Sequence, residues 1–357
     1  MQAKLNPTNR FELQDTLHLL TKPLALAMRG RVMLLAVVGV LAIWAADRLL
    51  VDQSAGVVPL EATGVAGWWA ACWGQLQGIW LGFVDPFVQL VRGEHLLASA
   101  VRCLVRVLVW GLVGGAIARL SVLHLTRHEE PNLVASLRYV WSHKSHFLGG
   151  PVVMLVGLAI VALPLGAAKL AMQVTWLAPV AAVLWPLVLV VAMVATVYAF
   201  GALLGWPIMV MAAAADQSDS FDAVSRVYAY VFQKPLRLVG YLAAMLVLGT
   251  SAAAVSQLLA TTVVAVGEAT AGETPSTWAA ETTSWWMGLV GSVVTVYLTS
   301  LFWTTSAGLY LLRRRDVDCM PTDEVYIDPA EFRGTIPTLQ PGETGVPEIV
   351  GNQADAA

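Results

Sequence analysis

Long apolar runs broken by short charged segments form the dominant pattern of this chain. Between Pro131 and Ala215 there is no carboxylate, and from Phe147 to Ala215 the only charged residue is Lys169. Such a run hides from water only inside a very large core, whereas a bilayer is its natural solvent. The pattern predicts six spans, at about 32–50, 98–120, 147–168, 177–211, 236–258 and 285–312. The fourth exceeds the roughly 20 residues of a straight crossing. A tilt, or a kink at Pro186 or Pro207, is therefore expected.

Between spans the period changes to that of an amphipathic helix. After the fourth run leaves the apolar phase at Asp216, residues 221–233 place Phe221, Val224, Val227, Tyr228, Val231 and Phe232 on one arc. Asp222, Arg226, Ala229 and Gln233 fall opposite. Asp219 or Ser220 is placed to cap the first turn, and Asp222 suits the positive end of the helix dipole. The reading is a helix on the membrane surface, with Trp206 at the same interface. A similar helix is expected at 133–144, with Leu133, Leu137, Val140 and Trp141 inward and Arg138 outward. Leu13, Leu17, Leu20 and Leu24 suggest another at 11–22.

These segments echo one another. Gly111 and Gly115 precede Gly201 and Gly205 by 90 residues, and each pair is a small-residue patch suited to close helix packing. Tyr139, Val140 and Trp141 have counterparts in Tyr230, Val231 and Phe232. Either an internal duplication of about 90 residues or the compositional likeness of hydrophobic hairpins accounts for this. A duplicated unit would be a surface helix followed by a two-span hairpin, with a third copy if the N-terminal helix counts.

The uncharged stretch 62–84 is ambiguous. Trp69, Trp73, Leu76, Trp80 and Phe83 line one face, and Gly74, Gly78 and Gly82 make a small-residue strip on the other. It either spans or lies in the outer interface. Charge favours the interface: with six spans the N-terminal segment, the two inner turns and the C-terminal segment collect nearly all Lys and Arg. Arg48, Arg92 and Lys169 fall on the outer side, and Arg102 and Arg106 fall within the second span.

Composition agrees with the pattern: 57 % hydrophobic and 13 % charged residues, with mean hydropathy +0.68. The fold class expected is all-α, a polytopic transmembrane bundle with 1–31 as a cytoplasmic amphipathic segment and 313–357 as a disordered cytoplasmic tail. Within that tail, residues 323–328 have the apolar character to form a strand on a partner. No cleavable signal peptide is expected, since basic residues precede the first run. The net charge of -3 decides nothing about nucleic acid, but no basic cluster with interleaved aromatics appears, and no nucleic-acid partner is expected. Cys72, Cys103 and Cys319 fall in different compartments, so no disulfide framework is expected.

Candidate chemistry is sparse. His124, His128, His143 and His146 crowd into 23 residues beside Glu129 and Glu130. The spacing of the first two suits zinc, but there is no His-Glu-x-x-His order, and polar residues at headgroup level are the plainer reading. Arg102 and Arg106 lie inside the second span. Charges there hint at an anion pathway or a carboxylate partner such as Asp47 or Glu94, unless they snorkel to the headgroups. The third and fourth spans offer mainly Gln173, Thr175 and Thr196. No nucleophile elbow, phosphate loop, Cys-x-x-Cys or acidic dyad is present, so neither catalysis nor a cofactor is expected.

The residues Gly205-Trp206-Pro207, Asp216, Phe221-Asp222-Ala223, Ser225-Arg226, Tyr228 and Tyr230-Val231 together resemble a group of uncharacterised bacterial polytopic membrane proteins. Gly115 to Arg119 and the tail residues 323–327 extend the resemblance over most of 105–330. It is more distantly similar to the membrane domain found with some glycerophosphodiester phosphodiesterases. The resemblance implies a bacterial cytoplasmic membrane and transfers no catalytic residue. The expected role is a non-enzymatic assembly, scaffold or partner subunit, contacting lipids and a membrane protein or a second copy. The alternatives are a transporter or channel component for a small anionic solute, and a lipid-modifying enzyme.

Overall fold

A computed structural model describes residues 7–50, 74, 77–78, 81–82, 84–89, 92, 96–128, 132–272, 276–326, 339–341 and 347–349. Most of the stretch 62–84, together with Cys72, Glu94, Glu129 and Glu130, lies outside these.

The chain is an all-α polytopic bundle with six helices long and apolar enough to cross a membrane. A helix that is not a candidate span, followed by two that are, recurs along it, although the first, at 21 residues, is as long as the span after it. First come α1 (Pro7–Ala27), α2 (Gly30–Leu50) and a long helix made of α3 (Leu96–Val109), a π-turn at Trp110–Gly114 and α4 (Gly115–Arg127). Next are α5 (Leu133–Ser142), α6 (Lys144–Gln173), the single turn-and-a-half α7 (Ala178–Val183) and α8 (Trp185–Asp216). Last are α9 (Ser220–Phe232), α10 (Pro235–Ala271) and α11 (Thr277–Asp318).

Local chemistry places the joints. Asn132 caps α5 by accepting from the Val134 amide at 3.2 Å, and Asp219 caps α9 from the Asp222 amide at 2.8 Å. Gln217 and Lys234 turn left-handed beyond α8 and before α10, and Pro235 occupies the first turn of α10, where no amide partner is needed. The overlong fourth run is relieved by a break at Leu184 between α7 and α8, with Pro186 again in a first turn. Helices α10 and α11, of 37 and 42 residues, measure roughly 55 and 63 Å at about 1.5 Å per residue. They outreach the apolar core of a bilayer, about 30 Å thick.

The three second helices form the core at one end of the bundle. There α4, α8 and α11 meet, and Ala116, Ile117, Met211, Ala212, Trp303 and Leu311 are fully buried or nearly so. Each short helix lies against the second long helix of the unit before it: α5 on α4 and α9 on α8. Helix α1 packs on α11. At the level of the π-turn, Trp110, Trp206 and Trp303, one from each second helix, form a cluster with ring centroids 5.6–5.8 Å apart around Trp303. Trp206 is thus inside the bundle, stacked on Phe302, and not at the interface expected of it. It stands ten residues before Asp216, too deep to reach the rim.

Away from that end, α6, α8 and α10 expose Ile160, Leu163, Met193, Val197, Val247 and Leu259, the surface a helix presents to lipid. Trp176, Trp185, Trp278, Trp285 and Trp286 are exposed around the far turns, as in an aromatic belt.

The paired glycines are close-packed. A Cβ at Gly111 would come within 2.5 Å of Leu148, at Gly115 within 2.7 Å of Phe147, and at Gly201 within 2.5 Å of Tyr228, and at Gly205 it would strike Val227. The two pairs nevertheless meet different elements, α6 for the first and α9 for the second. At Gly74, Gly78 and Gly82 a Cβ would meet no described atom within 4 Å.

The expected faces of the short helices are also corrected. In α9 the buried residues are Ala223, Val227, Tyr230 and Val231, while Phe221 is 75 % exposed; in α5 they are Ser136, Tyr139 and Val140, while Trp141 is 64 % exposed. Close docking selects a small residue and a tyrosine with a hydroxyl to spend, and turns the bulkiest apolar residues outward.

Helix α11 continues six residues past the predicted end at 312, burying Arg313, Arg314 and Asp316, and Val325 beyond it is also buried. Residues 313–318, expected in the tail, are therefore helical. Residues 326–357 form a separate unit in which β1 (Leu339–Pro341) pairs antiparallel with β2 (Pro347–Ile349), Gln340 opposite Glu348.

Candidate functional site

The densest polar chemistry is an ionic layer where α8, α9, α10 and α11 come together. Asp216, the last residue of α8, accepts from Arg226 of α9 at 2.8 Å, from the Tyr310 hydroxyl at 2.5 Å and from Arg314 at 3.0 Å. Arg226 also reaches Asp222 at 2.9 Å and Asp318 at 3.7 Å. Asp222 and Arg226 are paired, as their spacing of four predicts. Yet Arg226 points inward to the layer and not to the open face assigned to it. Burial works against its charge, but Tyr310, Asp216 and Asp222 hold its pKa above the ordinary guanidinium value. The Tyr230 hydroxyl donates to Asp318, and burial together with that bond pushes its pKa up. Asp316 binds Arg237 at 3.1 Å and the Tyr241 hydroxyl at 2.9 Å.

Two fully buried arginines serve as caps for helix ends. Arg313 donates to the carbonyls of Tyr230 at 3.0 Å, Lys234 at 3.5 Å and Gln233, which close α9 and the turn after it. Arg119 donates to the Ala214 carbonyl at 2.8 Å and lies 4.1 Å above the Tyr139 ring. The Tyr139 hydroxyl donates to Ala213 at 3.3 Å. A guanidinium placed at a helix C-terminus meets both the orphan carbonyls and the negative end of the dipole. Arg138 is exposed, as expected. With guanidinium and phenol groups on Asp216, Asp316 and Asp318, this layer fastens helices together.

The four histidines do not converge. His124 and His128 join α1, where Lys22 lies 3.2 Å from His128, Arg29 lies 3.5 Å from His124, and the His18 ring stands 5.8 Å from His128. Burial and the charges of Lys22 and His128 lower the pKa of His18. His143 and His146 turn away, each with Nδ1 at a backbone carbonyl: Tyr139 at 2.9 Å and Ser218 at 3.0 Å. Among the described residues no three His, Cys, Asp or Glu side chains are grouped to hold a metal ion.

At the far end of the bundle lies the second charged cluster. Asp47 is 17 residues along α2 from Gly30, about 26 Å at roughly 1.5 Å per residue. Arg106 grips it with Nη1 at 3.2 Å and Nη2 at 3.0 Å, and Arg102 adds Nε at 3.2 Å. Arg106 Nε donates to the Gly82 carbonyl at 2.6 Å, and Arg102 Nη1 donates to Gln89 at 3.1 Å. Of the two carboxylates the sequence suggested, Asp47 is engaged, and Glu94 lies outside the described residues. Arg106 is only 5 % exposed, so it is held by this partner and does not snorkel.

Beside Arg106 opens a cavity of about 580 Å³ between α3, the π-turn, α6, α8 and the helical residues 84–89. Its wall is apolar apart from Arg92, Arg106 and Thr196, whose hydroxyl donates to Ala192 of its own helix. The sequence hides this cavity, since its lining residues come from four separate stretches. No protein-family model, curated protein or solved structure matches this chain.

Proposed function

We propose that this chain is a non-catalytic assembly subunit of a membrane complex. It lies in the bacterial cytoplasmic membrane with α1, α5, α9 and both termini on the cytoplasmic side. The observation that carries this reading is the surface of the short helices. They are fixed to the bundle by small residues, tyrosines and the ionic layer, while Trp141, Phe221, Val134 and Phe232 are left exposed on a rigid platform. Exposed aromatics on a rigid face suit lipid headgroups and a protein partner, either another membrane protein or a second copy. The recurring order of one short and two long helices, closed by α1 on α11, fits a thrice-repeated unit and leaves such a platform on one face only. The excess of Lys and Arg at that end supports the orientation.

Affinity isolation from native membranes tests the assembly. The full chain, and a chain ending at Tyr326 so that Asp316, Asp318 and Val325 are spared, should recover a stoichiometric partner. The double variant Trp141→Ser with Phe221→Ser should recover less of it. Recovery of no partner by the full chain overturns the reading. Single-cysteine labelling at Ser225→Cys and Arg138→Cys with an impermeant reagent should modify both from the cytoplasmic side alone. Labelling from opposite sides would break the topology.

A further inference from the structure

We propose that the cavity beside Arg106 holds the acyl chain of an anionic amphiphile whose head group lies at Arg92. This goes beyond the assembly reading and stands apart from it.

The volume, about 580 Å³, falls within the roughly 300–1,000 Å³ of ordinary ligand sites. Val107, Trp110, Met154, Leu155, Leu203 and Trp206 supply an apolar wall. The Arg106 guanidinium is already committed to Asp47 and the Gly82 carbonyl, and the Thr196 hydroxyl donates to its own backbone. The wall therefore offers a polar solute no set of convergent donors and acceptors, whereas an alkyl chain needs none.

An apolar wall alone does not choose among lipids, because a chain leaving the bilayer exchanges one apolar surrounding for another. The head group has to make the choice. Arg92 lines the cavity, is exposed, and has no ion pair or hydrogen bond with any described residue. Arg102 and Arg106 are balanced by Asp47 and by Asp85, which stays an anion while accepting from Gln89 at 2.5 Å, so among these described residues Arg92 carries the net positive charge. A carboxylate or phosphodiester at this rim gains a charge-assisted contact that a zwitterionic head does not gain net. A free fatty acid and an anionic phospholipid share that chemistry.

Native mass spectrometry of the purified full chain, titrated separately with palmitate, phosphatidylglycerol and phosphatidylcholine, tests the proposal. One adduct per chain is expected for palmitate, phosphatidylglycerol or both, roughly ten-fold tighter than for phosphatidylcholine, the equivalent of about 1.4 kcal/mol. An adduct with palmitate alone identifies a free fatty acid, and one with phosphatidylglycerol a membrane lipid. Arg92→Gln should abolish the preference for the anion, and Ala202→Phe, which fills the cavity, should abolish the adduct. Equal affinity for phosphatidylcholine in the parent chain, or an anion preference that survives Arg92→Gln, overturns the proposal. Because Arg92 is exposed, its variant decides the matter even if Ala202→Phe fails to fold. Either failure leaves the partner-recovery experiment unaffected.

Discussion

Arg226 lies 2.8 Å from Asp216, and that contact ties the end of α8 to α9. Arg314 of α11 binds the second oxygen of the same carboxylate at 3.0 Å, so one side chain joins three helices. Asp216→Asn keeps the shape and removes the charge, leaving Arg314, 5 % exposed at its side chain, beside no counter-charge on α8. Breaking a buried pair in this way costs about 3–5 kcal/mol, and the partial exposure of Arg226 places this site at the lower end. The unfolding midpoint in detergent should drop accordingly, and Arg226→Lys should fall part of the way, since an ammonium cannot span Asp216 and Asp222 together.

The glycines make opposite predictions. A Cβ at Gly205 would strike Val227 of α9, so Gly205→Val should destabilise by about 1–3 kcal/mol through overpacking. Gly78 faces open space, and Gly78→Ala should stay within about 0.5 kcal/mol. Thermal unfolding of the two variants side by side checks whether docking of α9, and not the general scarcity of glycine in helices, sets the requirement.

Those glycines show where reading the sequence succeeds and where it stops. The six spans were legible because length and apolarity alone decide them, and the start of α9 because Asp219 is a local cap. The buried faces of α5 and α9 were legible in part: Val140, Val227 and Val231 are buried as the helical wheel places them. Trp141 and Phe221 are instead exposed, and Tyr139, Ser136, Ala223 and Tyr230 take their place, because docking also ranks residues by size and by the reach of a tyrosine hydroxyl. Asp216, Tyr310 and Arg314 lie up to 98 residues apart, and no spacing announces that they share one site. Arg313, Arg314 and Arg315 resemble the flank of a span, yet two of them are buried at helix ends. Arg102 and Arg106 did declare themselves, because charge within an apolar run demands a partner. The choice of Asp47 required the fold.

The histidine at position 18 gives a pH dependence. Burial, then Lys22 and His128, lower its pKa from the ordinary 6.5; Asp15 pulls the other way and His124 adds to the lowering. The unfolded chain therefore takes up the proton first. The contribution of His18 is fully present above about pH 6.5 and is lost as pH falls toward its depressed folded value. Unfolding midpoints measured from pH 8 down to pH 5 should decline more steeply for the parent than for His18→Gln. Equal slopes would show that other groups carry the acid sensitivity.

Gln257 offers a test in the opposite direction, toward greater stability. It sits in α10, 1 % exposed, one turn from both Ala253 and Ala260, which pack with Val294, Leu298 and Leu301 of α11. Its side-chain oxygen is buried without a hydrogen-bond partner. Leaving such a group unpaired costs about 1–3 kcal/mol, a penalty that a leucine of similar volume would not incur. Gln257→Leu should therefore unfold at a higher temperature, whereas Gln257→Ala, which removes the same oxygen but opens a void, should not. The contrast matters because a polar side chain inside a span is by default a candidate for function. If Gln257→Leu is more stable and still recovers the partner, the residue is tolerated strain at the α10–α11 seam. If it is more stable and the partner is lost, the polar group at this seam matters to assembly through the packing of α10 on α11, since a side chain 1 % exposed lies out of a partner's reach.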